Sequence, residues 1–351
     1  MKKHGEMRKK IEALDARLVT LLNERVKAAV ALDRVAAAAS RRGDVLRRMA
    51  SLNKGPISGA GLEAIYREIL SAVSALERRT VVAYFGPSAT FTHQAARLHF
   101  GSGVDYVACE TIGDVFAVVE KKSADYGVVP IENSTEGAVT HTLDEFVTTS
   151  LKVCAEVYQP ISHHLMARVA PSRIRRVYSH PQVFGQCRRW LHENLPGVEL
   201  VPVSSTARAA ELAAGGKGGA ALAGALAAEL YRLRILERDV QDLGGNTTRF
   251  LVIGGACPPP SGCDKTSVFF AVKHKVGALY GALASFKKYH INMTKIESRP
   301  SKAKAWEYYF FVDIEGHAED RRVARALEEL SEHCTLMTVL GAYPRAAGAE
   351  F

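Results

Sequence analysis

From Val81 to Ile253 short apolar runs alternate with amphipathic stretches, and this alternation constrains the fold more than any other feature of the chain. Val81–Phe85 reads as a strand and Thr92–Phe100 as the helix that follows. Val104–Cys109 and Gly127–Pro130 read as further strands, separated by a helix over Asp114–Lys122. The pattern continues through strand Arg176–Ser179, helix Val183–Asn194, strand Glu199–Val203, helix Thr206–Ala214 and strand Ala220–Ala223, closing with Phe250–Ile253. Elements of these lengths in alternation predict mostly parallel α/β sheets. About 175 residues are involved, and the middle stretch Leu151–Ala170 reads as irregular. Two α/β lobes are therefore expected, with ligands bound between them beyond the carboxyl ends of strands.

The flanks have a different texture. Over residues 6–79 the pattern is helical: Ile11, Leu14, Leu18, Leu21, Leu22 and Val26 form one apolar stripe at three- and four-residue spacing. A second helix is predicted over Asp44–Leu52, ended by Asn53–Lys54–Gly55–Pro56, and a third from Gly61 to about Arg78. These imply a small helical bundle or dimerisation hairpin. At the other end, Gly254 to Asp264 contains Pro258–Pro260 and reads as a linker. Beyond it lie strand Ser267–Lys273, helix Ala278–Tyr289, strands Ile291–Glu297 and Tyr308–Ile314, helix Arg321–His333 and strand Leu336–Leu340. That β-α-β-β-α-β order is the ferredoxin-like arrangement. The expected domains are 1–79, 80–256 and 265–345.

Formal net charge is +9, which first suggests a nucleic-acid or anionic partner. The charge is not spread evenly. Residues 1–79 hold 17 Lys+Arg against 9 Asp+Glu, a net of +8, and the other 272 residues hold 29 against 28. The basic segment has the pairs Arg41–Arg42 and Arg47–Arg48 but neither aromatic interleaving nor a helix-turn-helix signal, so a nucleic-acid-binding sensor is disfavoured. No apolar run is long enough for a membrane span, and no secretory signal is seen. Six cysteines without CxxC pairing predict free thiols in a reducing cytoplasm, with Cys257–Cys263 as the one conceivable disulfide.

The polar clusters fall in loops after predicted strands: Gly86–His93, Pro130–Gly137, Ser179–Cys187, Ser204–Thr206 and Gly245–Phe250. Their hydroxyls, amides and glycines offer donors suited to a small polyanion. Each alone reads more readily as a turn or cap; five at the same ends of successive units read as a site.

These motifs carry a family resemblance. Residues 80–255 resemble prephenate dehydratase, through VVPIENSTEG, YSHPQ and TRF in order; 266–345 resemble its regulatory ACT domain, through GALY and ESRP; 1–79 resemble the helical chorismate mutase of bifunctional chorismate mutase–prephenate dehydratases. The resemblance implies three domains: an all-α hairpin or bundle, a two-lobed periplasmic-binding-protein-like α/β domain and a βαββαβ domain. The implied reaction takes prephenate to phenylpyruvate, water and CO2, without metal or organic cofactor. Aromatisation drives it, and the enzyme helps hydroxide leave.

By motif match Thr248 is the catalytic hydroxyl, with Glu132, Asn133, Ser179 and Gln186 beside it. Prephenate is expected to meet Thr90, Phe91, Ser134, Thr135, Ser204, Ser205, Thr206, Arg249 and Phe250. Arg249 could hold substrate charge or the loop, and Glu132 could act as an acid or cap the next helix. His180 reads foremost as a structural part of its turn. Ala89 stands where the family usually has Gly. L-Phenylalanine is the implied feedback ligand, at Gly277, Ala278, Leu279, Glu297, Ser298, Arg299 and Pro300, between paired ACT domains of a homodimer or homotetramer.

For the mutase segment, Arg8, Arg25, Arg41 and Glu77 match the family's site positions. Arg8 and Arg25 lie about 260° apart around one helix, which fits a site built from two chains. The family's ether-oxygen lysine falls at Ala36, Arg42 replaces a Glu, and Val73 stands where a serine is common. Arg34 could substitute for the lysine only after a register shift. The fold is expected and mutase activity weak or lost; full bifunctionality is the alternative.

Overall fold

The computed structural model describes residues 2–31, 42–77, 79–216, 218–301 and 307–346. They form two compact units, Met1–Thr80 with Phe100–Asp105 and Val81–His99 with Tyr106–Phe351.

The first unit is helical: α1 (Lys2–Ala31), α2 (Arg42–Leu52) and α3 (Gly59–Glu77). The predicted breaker acts as one. Asn53 accepts from Gly55 N at 3.1 Å and donates to the Ile57 carbonyl at 2.8 Å, and Ser58 Oγ accepts from Gly61 N at the head of α3. Leu70 and Val73 of α3 are buried. In α1 the apolar stripe instead faces outward: Met7, Ile11, Leu14, Leu18 and Leu21 are each 49–58% exposed. Their 4-3-4-3 spacing is a seam pattern, the kind that a second helix covers.

The second unit holds three sheets. In the first, the order is β2 (Asp105–Cys109), β1 (Val81–Phe85), β3 (Tyr126–Asn133), β11 (Thr247–Gly254) and β5 (Lys152–Pro160), with the short β4 (Gly137–Ala138) beside β3. Helices α4 (Phe91–Phe100), α5 (Ile112–Glu120) and α6 (Thr140–Phe146) accompany it. In the second, the order is β10 (Arg234–Glu237), β6 (His164–Ala167), β9 (Gly219–Ala223), β7 (Arg176–Ser179) and β8 (Glu199–Pro202), with α7 (Pro181–Gln186), α8 (Arg188–Asn194), α9 (Thr206–Gly215) and α10 (Ala225–Tyr231).

Three expectations need correction. Leu151–Ala170 is not irregular but contains β5 and β6. Glu156 and Gln159 occupy buried positions on β5, so the apolar run that marks a core strand is interrupted. The first sheet is mixed rather than mostly parallel: β1 and β3 are parallel, while β11 is antiparallel to both β3 and β5, because the chain returns from the second lobe along β11. The single helix expected over Val183–Asn194 is two, broken at Cys187; Asp242 caps the second by accepting from Arg189 N and Trp190 N.

The third sheet is antiparallel, in the order β13 (Met293–Pro300), β14 (Tyr308–Glu315), β12 (Asp264–Val272), β15 (Cys334–Pro344). One face carries α11 (Ala278–Lys288) and α12 (Arg321–His333) over Val268, Phe270, Val312 and Ile314. The other face shares a core with the first lobe, where Phe269, Phe311, Leu340 and Tyr343 join Val129, Ile131, Val153 and Leu251. A Cβ on Gly341 would lie 2.2 Å from the Val153 carbonyl oxygen, so only glycine permits this approach of β15 to β5.

Candidate active site

Thr248 and Asn133 sit opposite each other on β11 and β3. Asn133 Nδ2 donates to Thr248 Oγ1 at 2.8 Å and to Asn246 Oδ1 at 2.7 Å. Its own Oδ1 accepts from Thr135 N at 2.9 Å and Glu136 N at 3.1 Å, the turn that an Asn side chain builds over the residues after it. Every polar atom of this amide is thereby engaged and its orientation fixed. Because Thr248 Oγ1 accepts from Asn133, its own proton is left to donate elsewhere. Ser134 Oγ accepts from Thr247 N at 3.0 Å and clamps the same two segments together.

The other expected residues divide between exposed loops and structural duties. Thr90 Oγ1 accepts from His93 N at 3.3 Å, at the start of α4, and the Phe91 ring meets His163 edge to face at 5.5 Å. Ser204 is exposed; Ser205 caps α9 by accepting from Arg208 N at 3.0 Å, beside half-buried Thr206. Ser179 is fully buried and donates to the Leu222 carbonyl at 2.9 Å. His180 caps α7 through Gln182 N, the structural role expected of it. Gln186 Oε1 lies 2.8 Å from His163 Nε2. Phe250 is 2% exposed, within the sheet.

The Arg249 side chain is buried, only 5% exposed. Its Nε donates to Glu156 at 2.9 Å, Nη1 to Asp313 at 2.5 Å and Nη2 to the Tyr343 hydroxyl at 3.0 Å. Lys265 pairs with the same Glu156 at 2.8 Å, and Ser267 Oγ bridges Asp313 and Tyr343. Burial works against the Arg249 charge, but Asp313, Tyr343 and Glu156 outweigh it and hold its pKa above the ordinary guanidinium value. This arginine therefore locks β11 to the third sheet one residue after Thr248. Glu132 likewise neither stands free nor caps a helix: it pairs with Lys295 of β13 at 2.7 Å. Arg299 on the same strand pairs with Asp144 of α6 at 3.2 Å.

Among the remaining expected positions, Gly277 has φ +76° and opens α11, whose first residues Ala278 and Leu279 are half-buried. Glu297, Ser298 and Pro300 lie with Arg299 along β13. In the helical unit Arg8 pairs weakly with Glu12 at 3.6 Å in solvent, whereas Arg25 Nη1 is buried with no partner among the described residues. At 1.5 Å per residue the two arginines are about 25 Å apart along α1. Ala36, Arg34 and Arg41 lie outside the described residues, as do the side chains of Arg42 and Glu77.

The sequence reading missed His163, Asn246, Glu156, Asp313, Lys265 and Lys295. Asn246 lies in the flagged Gly245–Phe250 loop; the others join residues far apart in the chain and leave no local signal.

The comparisons agree with this architecture. The family model for prephenate dehydratase matches residues 82–257, that for chorismate mutase type II residues 7–78, and that for the ACT domain residues 266–332. A relative from Aquifex aeolicus (strain VF5), named bifunctional chorismate mutase/prephenate dehydratase, is 47% identical over 99% of each chain. The structure of prephenate dehydratase from Arthrobacter aurescens in complex with L-Phe has a TM-score of 0.69 at 35% identity, covering 76% of this chain and 90% of its own. A structure described as GqqA, a novel type of quorum quenching acylase, has a TM-score of 0.71 at 32% identity, covering 77% and 100%. With its three domain matches in order and its relatives aligned end to end, this chain belongs to the bifunctional chorismate mutase/prephenate dehydratase family and is a prephenate dehydratase that also carries a chorismate mutase domain.

Proposed function

We propose that the dehydratase reaction is carried by Thr248, held in its donating rotamer by Asn133, that L-phenylalanine feeds back on it, and that the mutase domain is weak or silent. The observation that carries this reading is the 2.8 Å bond from Asn133 Nδ2 to Thr248 Oγ1. Prephenate loses its ring carboxylate as CO2, and the two electrons of that C–C bond complete the aromatic ring as the C4–O bond breaks. The leaving hydroxide carries developing negative charge, and a pre-aimed O–H stabilises it more than it stabilises the neutral hydroxyl of the ground state. A threonine is too weak an acid to give up its proton fully, so the departing hydroxide takes up one proton from solvent and leaves as water. The hydroxyls and amides of Thr90, Ser134, Thr135 and Ser204–Thr206 are suited to the two carboxylates, and Phe91 to the ring. Of the two roles open to Arg249, its burial favours holding the loop.

Feedback by L-phenylalanine at Gly277–Leu279 and Glu297–Pro300 is supported by the relative that binds L-Phe and by the ion pairs that tie β13 to the segments bearing Glu132 and Asp144. The domain limits assigned to these roles are 1–79, 80–256 and 265–345. Six free cysteines fit a reducing cytoplasm. The outward stripe of α1 favours a homodimer or homotetramer.

Weak mutase turnover follows from Ala36 in place of the ether-oxygen lysine and from Val73, which is buried and has no hydroxyl to offer. Loss of one such donor costs about 3–4 kcal/mol, a 10²–10³-fold drop in rate. One observation favours full bifunctionality: Arg25 Nη1 is buried with no hydrogen-bond partner among the described residues, which leaves an N–H that an anionic substrate could use.

The test is Thr248→Ala assayed for phenylpyruvate formation. A fall in kcat of about 10²–10³-fold is expected, with L-phenylalanine binding intact. Near-normal turnover refutes the assignment.

A further inference from the structure

The strand that leaves the first lobe ends beside the Thr248 loop. Pro160 pairs in register with Thr247, and Ile161 N donates to the Asn246 carbonyl at 2.8 Å. Two residues further on is His163, 2% exposed. Its backbone is held on both sides: N donates to Gln241 Oε1 at 3.0 Å, and the carbonyl accepts from Val240 N at 2.9 Å. Its ring lies against Phe91, and its Nε2 is 2.8 Å from Gln186 Oε1. Nδ1 has no partner among the described residues.

These contacts assign the proton. A hydrogen on Nδ1 would be a buried N–H with no acceptor, so Nε2 carries it, Nδ1 is a bare imine nitrogen, and the end of Gln186 that meets Nε2 is the accepting oxygen. A buried acceptor without a partner is tolerated better than a buried N–H without one. Adding a second proton would create such an N–H. Burial, only partly offset by the Gln186 bond, lowers the His163 pKa accordingly. The imidazole is thus a fixed, neutral donor. With its oxygen held, Gln186 has only its NH2 end left to offer. An amide free to turn end for end would present oxygen to a dianionic substrate part of the time, where it repels.

We propose that His163 is a positioning residue of the dehydratase, acting through Gln186 by fixing which end of that amide meets the substrate. The proposal rests on the assignment of Gln186 to the site. The experiment is a cycle of kcat/KM for prephenate with His163→Phe, His163→Gln, Gln186→Leu and the His163→Phe/Gln186→Leu double variant. Phe keeps the ring but cannot donate; the Gln amide nitrogen reaches roughly the Nε2 position and can. Misorienting a binding group costs up to about 10²-fold, so His163→Phe is expected to lose about 10–100-fold and His163→Gln to recover most of it. In the Gln186→Leu background the His163→Phe substitution is expected to cost almost nothing, because no amide remains to orient. Losses that multiply in the double variant, or a His163→Gln variant no better than His163→Phe, overturn the proposal while leaving Gln186 in the site. Wild-type turnover by Gln186→Leu alone overturns both. Should His163→Phe fail to fold, His163→Leu, which likewise cannot donate, takes its place in the cycle and reads the same coupling.

Discussion

Replacing Asp313 with Asn should destabilise the protein by about 3 kcal/mol at pH 7, because it leaves Arg249 in the interior short of a counter-charge. Arg249 and Lys265 face the buried Glu156 and Asp313 there, the half-exposed Glu132 adds a longer 3.9 Å contact to Arg249, and the Arg249 and Asp313 side chains are 5% and 9% exposed. Unit charges about 4 Å apart attract by about 4 kcal/mol at an effective dielectric constant of about 20. Removing one member of a buried pair costs about 3–5 kcal/mol in practice. Asn keeps an acceptor for Ser267 and Arg249, which places the loss at the lower end. Burial alone would raise the Asp313 pKa, but Arg249, Ser267 and Lys265 outweigh it and hold it below the usual carboxylate value. A depressed folded-state pKa contributes stability above the unfolded value of about 4, lost as pH falls through the lower folded one. At pH 7 the contribution is therefore fully present. Urea unfolding of the intact chain, followed by circular dichroism, reads the loss. The paired replacement Arg249→Met/Asp313→Leu should recover most of it, since the Arg249 charge is then no longer stranded. An Asp313→Asn variant within about 1 kcal/mol of wild type, or a double variant worse than both single ones, would refute the electrostatic account.

Two further outcomes concern the loop before α4. Ala89 adopts φ +73°, a conformation that costs an L-residue about 1–2 kcal/mol. Ala89→Gly is thus expected to change stability by less than about 0.5 kcal/mol despite losing a buried methyl, whereas Ala210→Gly in the interior of α9 should cost about 1 kcal/mol or more; equal losses in thermal unfolding would count against the strain. His93 Nδ1 accepts from Ala89 N at 3.1 Å, and burial, reinforced by Arg97, pushes the ring's pKa down to about 4. The unfolded chain takes up this proton near pH 6.5 and the folded one only near 4, so this contribution is level above 6.5, falls by on the order of 2–3 kcal/mol on acidification, and levels off near 4. His93→Asn should flatten that part of the melting-temperature profile; an unchanged profile excludes His93 as its source.

The elements whose pattern is local were legible in the sequence. The helical stripes, the β/α alternation, the breaker at Asn53–Pro56 and the polar loops after strands each announce themselves within a dozen residues. What was not legible depends on distant partners. β5 hides because its inward Glu156 is neutralised by Arg249 of β11 and Lys265 of β12, far along the chain. Arg249 reads as holding either substrate charge or the loop beside Thr248, and the partners that favour the second, Asp313 and Tyr343, are 64 and 94 residues away. Ser179 reads as a site hydroxyl; that its proton goes to the Leu222 carbonyl shows only once the two strands are brought together. His163 sits in the stretch that looked irregular, and its role emerges only when Gln186 and Phe91 are brought against it. Hydroxyls and amides mark where a site lies; which of them are free is decided by tertiary packing.

The division of labour between the two catalytic domains is tested most directly by presenting chorismate and prephenate separately to the same purified protein and measuring both initial rates. Ready conversion of prephenate to phenylpyruvate is expected, with slow or undetectable loss of chorismate. Rapid chorismate consumption, at a rate comparable to prephenate turnover, would contradict the assignment of a weak or silent mutase domain.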